Sequence, residues 1–199
     1  CKKLGTKIIC GGPLFTTGCQ EFEGVDYFVL GEAEITLPLF LKDLAMGEAK
    51  HIYYSNERPP IEKTPVPLWS LVNMKQYSSM NLQYSRGCPF DCDFCSKPIY
   101  GNLFRKRSPG QIFAEIKQIR NLGYDSLWIA DDNFTLDLNF LEGFCQQIAP
   151  MGMQWSCLSR VTGINEQMAR MMKEAGCNRV YLGLETGSSA TLKLMKKKA

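Results

Sequence analysis

Apolar positions along this chain keep two rhythms, short solid runs and longer stretches spaced by three and four. The run Lys7-Ile8-Ile9-Cys10, closed by Gly11-Gly12-Pro13, predicts a buried parallel strand ending in a tight loop. Val25 to Leu30 predicts a second strand, ending at Gly31-Glu32. Ile35 to Met46 then reads as a helix, with Thr36 as candidate cap, Pro38 in its first turn and Gly47 as its stop. Strand, glycine-rich loop, strand and helix predict the back half of a doubly wound α/β domain. Two strands do not make such a sheet alone, so its front half is expected upstream, in a longer protein.

Between Glu57 and Trp69 the rhythm stops. Arg58 to Pro67 holds four prolines in ten residues, an extended semi-rigid composition that predicts a linker. Leu68 to Tyr77 fits no pattern. Beyond Met80 strand and helix alternate. Asn81 to Ser85 is a strand leading into a cysteine loop. Ser108-Pro109-Gly110-Gln111 opens a helix with hydroxyl cap, proline and capping-box glutamine, with Ile112, Phe113, Ile116 and Ile119 inward and Gly123 at its end. Ser126 to Ala130 is a strand followed by Asp131-Asp132-Asn133. Asp137 caps a helix with Leu138, Leu141, Phe144, Cys145 and Ile148 inward, stopped by Pro150. Met153 to Leu158 is a strand followed by the loop Ser159 to Gly163. Asn165 then caps a helix whose Met168, Met171, Met172 and Ala175 form core, ending at Gly176. Arg179 to Leu184 is the fourth strand; Ser188 or Ser189 caps a last helix running into Lys196-Lys197-Lys198. Four βα units imply a parallel sheet, closed into a barrel or open, and the unpaired edge of its fourth strand predicts further strands beyond Ala199. The expected division is therefore 1–56, a linker at 57–79, and 80–199.

Composition narrows this little. The 199 residues are 45% hydrophobic and 22% charged, ordinary for a globular protein. A net charge of +3 argues for neither nucleic acid nor an anionic membrane as partner. Nine cysteines matter more. Their odd count, with no secretory signal and no apolar stretch long enough for a membrane span, favours a reducing cytoplasm over a disulfide framework. The chain does not start with methionine and reads as a fragment.

Three cysteines stand apart. Cys88-Pro89-Phe90-Asp91-Cys92-Asp93-Phe94-Cys95, between Arg86-Gly87 and the turn-prone Ser96-Lys97-Pro98, can bring three thiolates round one small volume. In parallel βα architectures reactive groups gather at the carboxyl ends of strands. The cysteine loop, Asp131-Asp132-Asn133, Ser159-Arg160 and Glu185-Thr186-Gly187-Ser188 all fall there. The C-x3-C-x2-C spacing resembles the signature of the radical S-adenosylmethionine (SAM) superfamily. Residues 80–199 resemble the first four βα units of its partial TIM-type (β/α)6 barrel. With Ile9-Cys10-Gly11-Gly12-Pro13, Val25-Asp26-Tyr27, Gly31-Glu32-Ala33-Glu34, Arg107-Ser108-Pro109 and Gly183-Leu184-Glu185-Thr186-Gly187-Ser188, the whole chain is similar to the class in which a Rossmann-like cobalamin-binding domain precedes that barrel. The histidine-bearing D-x-H-x-x-G loop of many cobalamin domains is not in the chain.

The resemblance implies that Cys88, Cys92 and Cys95 ligate three irons of a [4Fe-4S] cluster, leaving one iron open to SAM. Phe94 falls where the family meets adenine. Asp131, Asp132 and Asn133 fall where it binds the methionine amino end, and Arg160 and Glu185 where it touches SAM carboxylate and ribose. Gly11, Gly12 and Pro13 match the loop that approaches the corrin. The implied enzyme cleaves SAM reductively to a 5′-deoxyadenosyl radical and, with cobalamin, methylates a small-molecule substrate, fed by a one-electron donor such as flavodoxin or ferredoxin. A cyclase or rearrangement enzyme of the same class is the alternative; a non-catalytic zinc or iron-sulfur module is another, although zinc prefers four ligands. Residue by residue, other readings stay open. Asp131 or Asp132 could cap or solvate a loop, Arg160 and Glu185 could pair with each other, and Gly11-Gly12-Pro13 could be only a turn. His51 reads as a surface residue, Cys10, Cys145, Cys157 and Cys177 as packing, and Lys196 to Lys198 as a solvated helix end. Cys1 and Cys19 carry no signal.

Overall fold

A computed structural model describes residues 2–96 and 102–198, and the chain divides into two units, Cys1–Thr64 and Pro65–Ala199. The expected turn at Lys97-Pro98 lies outside the described residues, as does Cys1.

In the first unit the apolar runs become β1 (Ile9–Gly11) and β2 (Tyr27–Leu30), with a third strand, β3 (Ile52–Tyr54), that the sequence reading did not anticipate. All are parallel in the order β1-β2-β3. Helix α1 (Pro13–Gly18), read as loop from its glycines and proline, follows β1, and α2 (Ala33–Met46) follows β2. Strand alternation sends Phe28 and Leu30 to one face, against Phe15 of α1, and Val29 to the other, against Phe40 of α2. The sheet is thus covered on both sides, as parallel sheets require. Gly47 stops α2 in the left-handed conformation at φ 74°. Thr36 is not its cap: the helix begins three residues earlier, and the buried Thr36 hydroxyl donates to Glu32 O within it. The proline stretch divides as well. Pro59 and Ile61 are buried, Arg58 pairs with Glu32, and Thr64 donates to Glu34, so residues to Thr64 belong with the first unit.

The second unit opens with short turns that bring Trp69 and Val72 against its core. Then follow β4 (Met80–Leu82), β5 (Ser85–Arg86), β6 (Arg105–Lys106), α3 (Pro109–Asn121), β7 (Ser126–Ile129), α4 (Leu138–Ile148), β8 (Gln154–Arg160), α5 (Glu166–Glu174), β9 (Cys177–Gly183) and α6 (Ser189–Leu194). Strands β4-β7-β8-β9 form one parallel sheet in that order. The expected Asn81–Ser85 strand is split: its end turns away, and β5 pairs antiparallel with β6 on either side of the cysteine loop.

Caps form where the side chains predict them. Ser108 and Gln111 close a reciprocal capping box on α3; Asp137, Asn165 and Ser188 cap α4, α5 and α6. One sheet face is the core, where Leu127, Ile129, Trp155 and Cys157 meet Ile112, Ile116, Leu141, Phe144 and Met172 from the helices. Leu138 does not join them. It is half exposed, and Phe140 takes the inward position, stacked flat on Tyr84 at 3.4 Å between ring centroids. Trp155 is fully buried, edge-on to Phe134 and Phe144, with its indole N–H donating to Ala175 O at 2.8 Å. Cys145 and Cys157 are core, and Cys10, Cys19 and Cys177 pack against or within apolar clusters. No helix among the described residues is long and apolar enough to cross a membrane.

Candidate functional site

The strand ends of the second unit meet around one cavity of about 270 Å³, and its walls come from all four. The cysteine loop contributes Cys88, Phe90, Cys92, Phe94 and Cys95; the loop after β7 gives Asp132 and Asn133; β8 gives Leu158, Ser159 and Arg160; β9 and its sequel give Gly183 and Glu185. Lys197 closes the list, from beyond α6. Wider depressions of about 500 and 630 Å³ lie along α5, without this gathering of thiols and charges.

The base of the cysteine loop is held first. Leu82 O receives Ala130 N–H, bringing Asp131 under the chain turn that follows β4. Asp131 is fully buried and accepts from the Tyr84 and Ser85 N–H groups, both at 2.8 Å, and from the Ser85 hydroxyl. Burial pushes its carboxyl up to about 7, although all three donors favour the charged form. Asp131 therefore neither lines the cavity nor caps a helix; it anchors the residues that lead into Cys88. Arg107 fixes the hairpin from the other side. Its N–H donates to Tyr84 O, and its guanidinium joins Gln83 O at 3.0 Å to Glu115 of α3 at 2.7 Å. Both members of that ion pair are buried. The Tyr84 hydroxyl donates to Asp137, and Lys106 reaches the same carboxylate at 2.7 Å. Burial acts to raise the Asp137 carboxyl, but Lys106, Phe140 N–H and Tyr84 together hold it below the ordinary value.

Within the loop, Cys92 is buried, Cys88 and Cys95 half-buried, and Cys95 N–H closes a turn on Cys92 O at 3.0 Å. Burial pushes the Cys88 thiol up while Phe90 N–H and Arg160 act to lower it. Arg160 lies 3.9 Å over the Phe90 ring, directs an N–H to Cys92 Sγ at 3.7 Å and binds Lys198 O, while its buried Nε has no partner. Arg160 and Glu185 do not pair; the partner of Glu185 is Lys197, at 2.7 Å. The three lysines are not a uniform solvated end. Lys196 is exposed and binds Asp93 at 2.7 Å, whereas Lys197 is 7% exposed and turned into the cavity. The Asp93 N–H also donates to Met195 O, so this turn straps the cysteine loop.

Phe94, Asp132, Asn133, Arg160 and Glu185 thus share the cavity with the three cysteines. Gly11, Gly12 and Pro13 belong to the first unit. A Cβ on Gly11 would meet Val29 O at 2.5 Å, so its glycine is demanded by the neighbouring strand; Gly12, at φ 89°, has open space on that side. His51 is exposed and bound to Asp26 O through Nδ1. Lys197, Phe90 and Gly183 are cavity residues the sequence reading missed. Phe90 carried one usable signal, an aromatic ring inside the cysteine spacing; Lys197 carried none, being one of three identical neighbours.

The chemistry of the wall fits a thiolate-bound cluster. Among the described residues no group of three Cys, His, Asp or Glu side chains is already placed to hold a metal ion. What the site supplies is three cysteines on one cavity wall, the ligand type that iron-sulfur clusters take. The unpartnered Arg160 Nε fits an anion beside it.

Residues 82–199 match the Radical SAM superfamily, and the chain belongs to that superfamily. An uncharacterized methyltransferase of Synechocystis is 31% identical over 98% of this chain and 39% of its own length. An anaerobic magnesium-protoporphyrin IX monomethyl ester cyclase of the same organism is 27% identical over 87% of this chain and 40% of its own length. Among solved structures, the radical SAM methyltransferase TsrM of Kitasatospora setae, with tryptophan and a SAM analogue bound, superimposes with a TM-score of 0.74. It is 16% identical over 96% of this chain and 44% of that one. TsrM with cobalamin and a [4Fe-4S] cluster gives 0.73 over 94% of this chain and 44% of that one, again at 16% identity. The chain therefore spans about two fifths of the length of these relatives, and it shares with TsrM an α/β fold of parallel sheets.

Proposed function

We propose that this chain is the cofactor-handling part of a cobalamin-dependent radical SAM methyltransferase. The observation that carries the reading is the meeting of Cys88, Cys92 and Cys95 with all four parallel strand ends on one cavity. In this reading residues 80–199 are the first four βα units of a (β/α)6 barrel. Residues 1–56, extended to Thr64 by the packing of the first prolines, are the second half of a Rossmann-like cobalamin domain, the connection follows, and the protein works in the cytoplasm. Relatives named as methyltransferases and the likeness to TsrM support methyl transfer to a small molecule. The relative named as a cyclase supports ring formation as the second reading.

Cys88, Cys92 and Cys95 would hold the cluster, and each thiol gives up its proton on ligation. Cys88, kept protonated by burial in the free site, makes that uptake more favourable as pH rises. Arg160 would receive the SAM carboxylate at its free Nε while its stacking on Phe90 keeps the guanidinium in place. Asp132 and Asn133 would take the amino end, Glu185 the ribose hydroxyls, and Phe94 the adenine face. Asp131 works one step back, by fixing Tyr84 and Ser85. Gly12 leaves open space on the first unit's loop, where Gly11, Gly12 and Pro13 would meet the corrin. When bound, and reduced by a one-electron donor such as flavodoxin or ferredoxin, the cluster and SAM would supply a 5′-deoxyadenosyl radical and cobalamin would supply the methyl group.

Anaerobic reconstitution of the whole protein tests this. Expected are about four iron and four sulfide per chain, 5′-deoxyadenosine on reduction with SAM, and retention of added cobalamin. Colourless protein holding one zinc overturns the radical reading, and iron uptake without cobalamin retention overturns the methyl-transfer reading alone. A methylated against a cyclised product separates the two enzyme readings.

A further inference from the structure

Lys197 is the one charged cavity residue that the resemblance leaves without a role. Its side chain is 5% exposed, its ammonium sits 2.7 Å from Glu185 Oε1, and it lies 5.5 Å over the Phe94 ring. Two further features build this pair into the fold. Gly183 makes room for it, since an added Cβ there would stand 2.8 Å from Lys197 Nζ and 3.0 Å from Glu185 Oε1. Glu185 and Lys196 also adopt left-handed backbone, at φ 58° and 52°, a conformation that L side chains take only at a cost. One turn aims the carboxylate of Glu185, the other lets the chain after α6 double back and deliver Lys197.

A buried lysine paired with one oxygen of a partly exposed carboxylate leaves the second carboxylate oxygen as an acceptor on the cavity wall. We propose that Lys197 is a positioning residue: its ammonium holds the Glu185 carboxylate aimed into the cavity, where that carboxylate accepts from vicinal hydroxyls of a nucleoside ligand. The proposal rests on the SAM reading above and adds to it a residue acting through Glu185. Without the ammonium, the Glu185 side chain is free to swing off the rim.

The test is a double-mutant cycle in the whole protein, reconstituted anaerobically and left oxidised so that SAM binds without turnover. SAM affinity is read by equilibrium dialysis and iron content by assay. Lys197→Met and Glu185→Gln should each weaken SAM binding by about tenfold or more. The double variant should bind no worse than Glu185→Gln alone, because the lysine acts through that carboxylate. Lys197→Arg should recover most of the affinity. Iron content should stay at the wild-type value throughout. Unchanged SAM affinity in Lys197→Met, or additive losses in the cycle, overturns the proposal; so does loss of iron in Lys197→Met, which makes the lysine a prop of the cysteine loop. Wild-type protein that takes up no iron overturns the radical SAM reading itself, and with it this inference.

Discussion

Each unit sets a loop beyond the carboxyl end of one of its strands, and the two loops are built by opposite means. The loop after β1 carries no charge. Gly11 is pressed under Val29 O, and Gly12 turns at φ 89°. Thr16 ties the loop down, donating to Gly12 O at 2.8 Å and accepting from Gly31 N–H at 3.1 Å. The loop that follows β5 is held by charge. Asp131 and the Arg107–Glu115 pair fix its base, Lys196 binds Asp93, and Arg160 caps Phe90. A bare backbone offers a large ligand room and contact area. A charged cradle offers a field, and suits a ligand that brings charge of its own.

The comparison is broken most completely at Cys92. Cys92→Ala should abolish iron uptake and 5′-deoxyadenosine formation while cobalamin retention stays unchanged; joint loss of both would show that the loops do not work separately. A smaller effect is expected at Asp131. Its carboxyl ionises near 3.8 when unfolded and is raised to about 7 in the fold, so the folded state binds the proton more tightly. The contribution is fully present below about pH 4 and lost as pH rises through 7, at most ~4 kcal/mol for a shift of roughly three units. Urea unfolding between those values should show stability falling, and Asp131→Asn, which cannot ionise, should flatten the slope.

Gly11→Val tests the neutral loop. Its first new carbon would lie 2.5 Å from Val29 O, so unfolding of the first unit should come earlier by about 1–3 kcal/mol, with iron content untouched. The smallest change belongs to a charge that frames neither loop. Glu166 and Arg170 pair at 2.6 Å across one turn of α5, mostly exposed. Arg170→Ala should shift thermal unfolding by no more than about 0.5 kcal/mol.

Much of this was legible in the sequence where a residue acts on near neighbours. Ser108 with Gln111, Asp137 and Asn165 announce α3, α4 and α5 because a cap is satisfied within three residues. The apolar spacing of Ile112, Ile116 and Ile119 shows which face turns inward. Placement of the reactive groups at strand ends was legible too, since parallel βα order dictates it. Structure set at a distance was not. Helix α1 is one short piece behind two glycines, and β3 is three residues that become a strand only by pairing with β2. The β5–β6 hairpin is decided by partners some twenty residues apart. In the site, Asp131, Asp132 and Asn133 were indistinguishable as letters, and burial separates the anchor from the lining. The same holds for Lys197 among three lysines. Glu115 was the one distant partner with a local mark, an acid on an apolar helix face between Phe113 and Ile116.

The hairpin has a consequence for how the site is assembled. Because β5 and β6 close the segment from Gly87 to Phe104 at its base, the entropy of bringing its ends together is already spent when the chain folds. The three thiols are then tethered chelating arms, present at high effective concentration around any iron that the first of them captures. Maturation of this site becomes a sequence of intramolecular captures. A break in the Ser85–Lys106 and Arg86–Arg105 pairing should therefore slow cluster insertion before it alters anything the finished cluster does.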